Sequence, residues 1–307
     1  IDEHPLSPGQ AGPTLSVTAE DVAAYAFDLK DGQSRAAVEV GEKLSELQLL
    51  QGLLVHSANN YALMLAQWTA GSEEAFVAKM NEKAASLGLH ATHYADASGY
   101  SPATVSTAAE QIVVAKALMA SEVLSPIVRM TSVDLPVAGT MNSFTPLLSV
   151  PGVVGIKSGL TTEAGGCDVM AYISMKGGLP VMVYSAVLGQ VFSTDRLATA
   201  GNEALRLAHE AEAGLVPIRV ASAHEKVGEL SFTTGSSAVI TSSALTVPGW
   251  PGTRVEVAVK VDRVVRDGIP AGTPVGRMTV TSGAFTLTIP LVTAATIPRL
   301  SWWQRLV

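Results

Sequence analysis

The sequence of 307 residues is poor in cysteine, in charge and in long apolar runs. Its one cysteine, Cys167, excludes a disulfide within the chain, and no C-x-x-C or H-E-x-x-H spacing indicates a metal site. Only 15% of the residues are charged and the net charge is −7, which argues against a nucleic-acid partner. Apolar stretches end well before the roughly 18 residues that a membrane span needs. We therefore predict no metal and no cofactor.

Apolar residues make up 48% of the chain, enough for one large domain and a smaller one. Ser45 and Gln48 form a capping-box pattern that predicts the start of a helix. We expect a loop at 56–59 to interrupt this helix, which then resumes over 60–70. Similar signals predict helices over 72–88 and 107–120.

From about residue 131 the pattern changes to short apolar runs separated by Gly and Pro. The runs 153–156 and 181–187 predict strands, and 193–212 predicts a closing helix. This order indicates an α+β domain over 1–214, with helices packed on an antiparallel sheet.

The remainder of the chain shows no helical period. Val255, Val257, Val259 and Val261 alternate with mostly polar residues, which predicts one strand of a half-exposed sheet in a small all-β domain over 215–298. The tail 299–307 places two Trp beside two Arg, which suits a membrane interface as well as it suits a docked tail.

Two tripeptides combine residue types that suit acyl transfer, Ser57-Ala58-Asn59 at the helix break and Lys157-Ser158-Gly159 after the strand 153–156. A substrate carboxylate needs a cation and a hydroxyl at a strand edge, and Gly leaves room for a peptide backbone. Asn59 can hydrogen-bond a substrate amide, and Ser57 can pass a proton to a leaving amine. Each tripeptide also occurs by chance, as a helix cap or as a solvated hairpin end.

The surrounding segments resemble the D-alanyl-D-alanine carboxypeptidases among the low-molecular-mass penicillin-binding proteins, especially those of actinobacterial type. The resemblance covers roughly residues 2–212. It implies a penicillin-recognising fold and a serine peptidase that removes the terminal D-alanine from peptidoglycan stem peptides through an acyl-enzyme, outside the cytoplasm, with β-lactams as inhibitors. Beside the two tripeptides, the matching stretches are Gly41-Glu42-Lys43-Leu44, Ala75-Phe76-Val77-Ala78-Lys79-Met80-Asn81, Leu87-Gly88-Leu89, Thr92-His93-Tyr94, Asp96-Ala97-Ser98-Gly99 and Gly155-Ile156.

By this resemblance Ser57, Asn59 and Lys157 are catalytic, and Lys157, Ser158 and Gly159 bind the substrate. Ser158 stands where the family usually has Thr, and it keeps the hydroxyl. The family's S-x-x-K motif has no counterpart, because no Ser in the sequence is followed three residues later by Lys. We expect the nucleophilic Ser and its Lys base upstream of Ile1.

Three other interpretations stay open at this point. The chain could be a non-catalytic homologue that binds stem peptides or acts as a cell-wall scaffold. It could be a β-lactamase, although no Glu lies in a suitable position over 94–105. Ser57 could itself be the nucleophile, although the family builds its oxyanion hole at the S-x-x-K serine.

Overall fold

The computed structural model describes residues 1–232, 234–262, 268–283 and 285–299. They divide into two units. The first unit comprises residues 1–174 and 182–210, and the second comprises 175–181 and the described residues from 211 onward. The predicted boundary at 214 lies close to this division. The assignment of 1–214 and 215–298 as separate domains stays a prediction.

Helices make up most of the first 127 residues. The predicted start at Ser45 is confirmed, since its hydroxyl accepts from the Gln48 N–H at 3.2 Å and the Gln48 side chain accepts from the Ser45 N–H at 2.9 Å. A short antiparallel ribbon of β1 and β2 precedes this cap. The elements are β1 (Thr14–Ser16), α1 (Ala19–Asp31), β2 (Lys43–Ser45), α2 (Glu46–His56), α3 (Asn59–Ala70), α4 (Glu73–Ser86), α5 (Ala108–Met119) and α6 (Leu124–Ile127).

A hydrophobic core holds α2 against α3. The two helices approach closely at Gly52, where an added Cβ would lie 2.5 Å from the Tyr61 ring. Leu49, Val55 and Tyr61 are all almost fully buried in this core. The position of α2 therefore depends on a glycine at the contact.

After the short β1–β2 ribbon, the next strands begin at residue 132, close to the predicted change of pattern at 131. The hairpin β3 (Ser132–Leu135) and β4 (Gly139–Asn142) is followed by a three-stranded sheet in the order β5-β6-β7. The sheet consists of β5 (Val153–Thr161), β6 (Gly165–Lys176) and β7 (Leu179–Gln190), and β5 pairs with β6 antiparallel. Helix α7 (Arg196–Gly214) follows. The predicted α+β fold is confirmed.

The expected end of β5 at Ile156 was wrong. The strand continues to Thr161, so Lys157, Ser158 and Gly159 lie inside it and pair with Val169, Asp168 and Cys167 of β6. Polar residues and Gly normally indicate a strand end. Here continued backbone pairing with β6 keeps the chain extended.

The second unit contains a ribbon of two strands and a sheet of five. The sheet order is β12-β13-β14-β10-β9, and its apolar face packs in a core around Val239, Val280 and Leu291. The strands are β8 (Val216–Ala221) and β11 (Leu245–Gly249) in the ribbon, and β9 (Lys226–Phe232), β10 (Gly235–Thr241), β12 (Glu256–Val261), β13 (Pro274–Ser282) and β14 (Phe285–Thr293) in the sheet.

The valine alternation over 255–261 does mark a strand, and the sheet that contains it buries one apolar face in the core, as expected of a half-exposed sheet. All six residues of β12 are exposed, valines included. This strand lies at the edge of the sheet, where neither face is fully covered.

Of the predicted Trp/Arg tail, residues 300–307 lie outside the described residues. In the part of the chain that the structure describes, no helix is long and apolar enough to cross a membrane.

Candidate active site

The first tripeptide forms the break between α2 and α3. Ser57 ends α2 in the left-handed conformation, with φ 58° and ψ 38°, and the Ala58 N–H donates to the Gly52 carbonyl at 3.2 Å. Asn59 already belongs to α3, so the break is shorter than the predicted loop 56–59. The tight turn places Ser57 and Asn59 at the junction of two packed helices.

The junction is held from outside by the segment 33–36. The Asn59 amide donates to the Gln33 side-chain oxygen at 2.7 Å, and the Asn59 N–H donates to the Ser34 carbonyl at 2.9 Å. Buried Asn60 exchanges two hydrogen bonds with the Ala36 backbone, at 3.0 and 2.9 Å. Sequence reasoning missed Gln33, because a partner so far away in the chain leaves no local signal.

The second tripeptide presents its three residues differently along β5. The Lys157 ammonium donates to the Ser158 carbonyl at 2.6 Å. Ser158 is buried, and its hydroxyl donates to the Phe144 carbonyl at 3.0 Å. Gly159 is exposed, and an added Cβ would meet no atom within 4 Å. The strand therefore offers a lysine, a hydroxyl and open space at successive positions.

Phe144 connects the two tripeptides. Its N–H donates to the Val55 carbonyl near the end of α2 at 3.3 Å, while its carbonyl accepts from Ser158 on β5. His56 packs its ring 4.3 Å from the Phe144 ring and hydrogen-bonds the Asn142 carbonyl at 2.7 Å through Nδ1. The structure thus brings the helix break and the lysine strand to the same short segment.

Asp168 is the charged neighbour of this strand. It pairs with Ser158 across β5 and β6, is 1% exposed, and neither carboxylate oxygen has a hydrogen-bond partner. Burial raises the pKa of Asp168 to about 7, opposed by the charge of Lys157. Burial also lowers the pKa of Lys157 to about 8, opposed by Asp168. Sequence reasoning gave Asp168 no role, although a lone Asp in an apolar strand was a visible signal.

Two cavities lie beside the helix break. One, of about 390 Å³, is lined by Gln33, Asn59, Asp96 and Tyr100 among others. The other, of about 430 Å³, is lined by Gln33 together with residues that include His56 and Phe144. Asn59 of the first tripeptide, its partner Gln33 and the linking residue Phe144 therefore face space that a peptide can occupy.

Comparison with known proteins identifies the family. A family model described as D-alanyl-D-alanine carboxypeptidase matches residues 10–190, more than half of the chain. The chain belongs to this family. The matched range includes both tripeptides, which confirms the resemblance to the D-alanyl-D-alanine carboxypeptidases; the actinobacterial type stays a prediction.

Curated relatives agree with this assignment. The chain is 32% identical over 143 residues to the D-alanyl-D-alanine carboxypeptidase DacF of Bacillus subtilis, covering 44% of this chain and 36% of the relative. It is 35% identical over 147 residues to DacB2 of Mycobacterium tuberculosis, covering 45% and 50%. The chain thus spans half or less of the length of these two relatives.

Solved structures confirm the penicillin-recognising fold. Penicillin-binding protein 5 from Haemophilus influenzae matches with a TM-score of 0.60 at 16% identity, covering 94% of this chain and 84% of that one. The Streptomyces K15 DD-transpeptidase matches with a TM-score of 0.57 at 24% identity, covering 67% and 82%. At these identities the likeness concerns the fold alone.

Proposed function

We propose that this chain supplies the substrate-binding part of a serine-type D-Ala-D-Ala carboxypeptidase that trims peptidoglycan stem peptides outside the cytoplasm. The observation that carries the proposal is that, without substrate, both the helix break and the lysine strand hydrogen-bond Phe144, so the two tripeptides lie beside the same segment. Family membership supports the same activity. The activity needs both tripeptides on one substrate, because one holds its terminal carboxylate and the other its reacting amide.

In this proposal Lys157 attracts the carboxylate of the terminal D-alanine. The Ser158 hydroxyl turns from the Phe144 carbonyl to donate to the same carboxylate, and open space at Gly159 admits the substrate backbone. Asn59 leaves Gln33 to bind the amide of the penultimate residue. Ser57 passes a proton to the nitrogen of the departing D-alanine as the acyl-enzyme forms.

The nucleophile of this reaction would lie outside residues 1–307. No Ser followed three residues later by Lys occurs among them, so we propose that the acylating Ser and its Lys base come from another part of the protein. The same Ser would be acylated by β-lactams. We also propose that the tail 299–307 contacts the interface at the outer face of the cytoplasmic membrane.

A second candidate function also takes into account that residues 1–307 contain no S-x-x-K motif. A homologue without the S-x-x-K pair would bind stem peptides through Asn59 and Lys157 and release no D-alanine. Such a protein would act as a cell-wall binding module.

Release of D-alanine from a peptide ending in D-Ala-D-Ala, measured with the full-length protein, separates the two candidates. We expect Lys157→Ala to lower kcat/KM about 100-fold or more, because a charge-assisted contact to the carboxylate is lost in a partly buried site. Lys176→Ala, at the end of β6, serves as the control and should leave the rate unchanged. Peptide binding without any release by the wild-type protein would favour the second candidate.

A further inference from the structure

The edge strand β12 of the second unit has an open side. Among the described residues it pairs only with β13, and all six of its residues are exposed. The Asp262 N–H donates to the Val275 carbonyl on the β13 side. Because hydrogen bonding alternates along an antiparallel strand, the even-numbered residues direct their N–H and C=O groups to β13. Val257 and Val259 therefore direct theirs to the open side.

The sequence of this edge complements itself when it is reversed. Residues 254–262 read Arg-Val-Glu-Val-Ala-Val-Lys-Val-Asp. If a second copy lies antiparallel with Ala258 at the centre, Glu256 stands opposite Lys260 and Arg254 opposite Asp262. Each of these opposite-charge pairs occurs twice, once on each side of the two-fold axis. Opposite charges directly across two strands stabilise their pairing.

The backbone groups fit the same register. Val257 of one copy stands opposite Val259 of the other, and both have outward N–H and C=O groups. Each such pair can exchange two hydrogen bonds, and the two-fold axis generates the pair twice. The centre at Ala258 is thus compatible with both backbone and charge.

Neighbouring registers lack this agreement. A centre at Val259 places Glu256 opposite Asp262, and a centre at Val257 places Arg254 opposite Lys260. If the two-fold axis passes between two residues, each odd-numbered residue stands opposite an even-numbered one. The N–H and C=O groups of that even-numbered residue are already bonded to β13. Like charges across strands are unfavourable, so the charges select one register.

We propose that β12 is a self-association surface, through which two copies of the chain pair antiparallel about Ala258 and join their five-stranded sheets. This inference goes beyond the proposed function and does not depend on it. The charged side chains are accessible for it, since Arg254 is 87% exposed and Glu256 66% exposed in their mutual ion pair. One strand pair buries little surface, so the dimer is weak, with a dissociation constant on the order of micromolar or higher.

Sedimentation equilibrium of the full chain over a concentration series tests the proposal. Glu256→Lys and Lys260→Glu should each weaken association roughly tenfold or more, because each sets two like-charge pairs across the strands. The double variant, which exchanges the two charges, should restore association to near the wild-type value. Such rescue distinguishes a direct pair from a general effect of charge, and unfolding curves check that each variant is folded.

Lys226→Glu on β9, the opposite edge of the sheet, is the matched control and should leave the dimer unchanged. The proposal is overturned if the wild-type chain stays monomeric at the highest concentrations, or if the double variant associates as poorly as the single ones. It is also overturned if assemblies larger than a dimer form and respond to Lys226→Glu, since β12 would then pair head-to-tail with β9.

Discussion

At the scale of single residues, Ser57 combines an unfavourable backbone conformation with a proposed role in proton transfer. A non-glycine residue at φ 58° costs about 1 kcal/mol or more, and helices often end with Gly in this conformation. The strain persists because Ala58 and Asn59 are both fixed by backbone hydrogen bonds. Position 57 thus carries a serine although glycine would give the more stable backbone there.

We expect Ser57→Gly to raise the free energy of unfolding by about 1 kcal/mol while it removes most of the D-alanine release. Urea unfolding and the release assay on the same preparations measure the two effects. Ser57→Ala is the control, since it loses the hydroxyl and keeps the strain, and it should give no such gain. Equal stability of the two variants would contradict this explanation of Ser57.

Asp168 predicts an unusual dependence of stability on pH. Its pKa in the folded protein is raised to about 7 from 3.8, so the folded state binds a proton that the unfolded state releases. Stability due to this group is therefore full below pH 4 and is lost as the pH rises towards 7. At neutral pH the buried carboxylate destabilises the fold.

Asp168→Asn should thus raise the free energy of unfolding at pH 7.5 by a few kcal/mol, about 4 at most, with little change at pH 4. Urea unfolding at the two pH values provides the measurement. Glu163→Gln, an exposed carboxylate between β5 and β6, is the control and should have little effect at either pH. The account of Asp168 is wrong if its substitution destabilises the protein more at pH 7.5 than at pH 4.

At the scale of elements, the contact between α2 and α3 places the helix break. Alanine favours helices over glycine by about 1 kcal/mol, so propensity alone predicts that Gly52→Ala stabilises α2. The added methyl group would instead lie 2.5 Å from the buried Tyr61 ring. We expect a loss of about 1–3 kcal/mol in the free energy of unfolding, because the packed contact has no space for it. A higher melting temperature for Gly52→Ala would show that the helices are not this close.

The elements also show what the sequence can predict. Caps are local, so Ser45 correctly marked the start of α2. The polar end of β5 was misjudged, because its pairing with β6 is decided by tertiary structure and not by local sequence. The two tripeptides could be found from the sequence. Their connecting residue Phe144 is placed by tertiary contacts alone. Asp168 was visible in the sequence as a lone Asp in an apolar strand, and only its full burial depends on the fold.

At the scale of the whole molecule, the proposed function assigns substrate binding to these residues and nucleophilic attack to a serine elsewhere in the protein. Phe144 connects the helix break to the lysine strand. No serine in residues 1–307, however, is followed three positions later by the lysine of the family's S-x-x-K motif. A penicillin should therefore form its covalent bond with a serine outside residues 1–307.

Labelling the full-length protein with a fluorescent penicillin, followed by mass mapping of the acylated peptide, tests that location most directly. We expect one stable label on a serine outside residues 1–307, three positions before a lysine, and slower labelling in Lys157→Ala. A label on Ser57, rapid turnover of the penicillin, or no label at all would contradict this expectation.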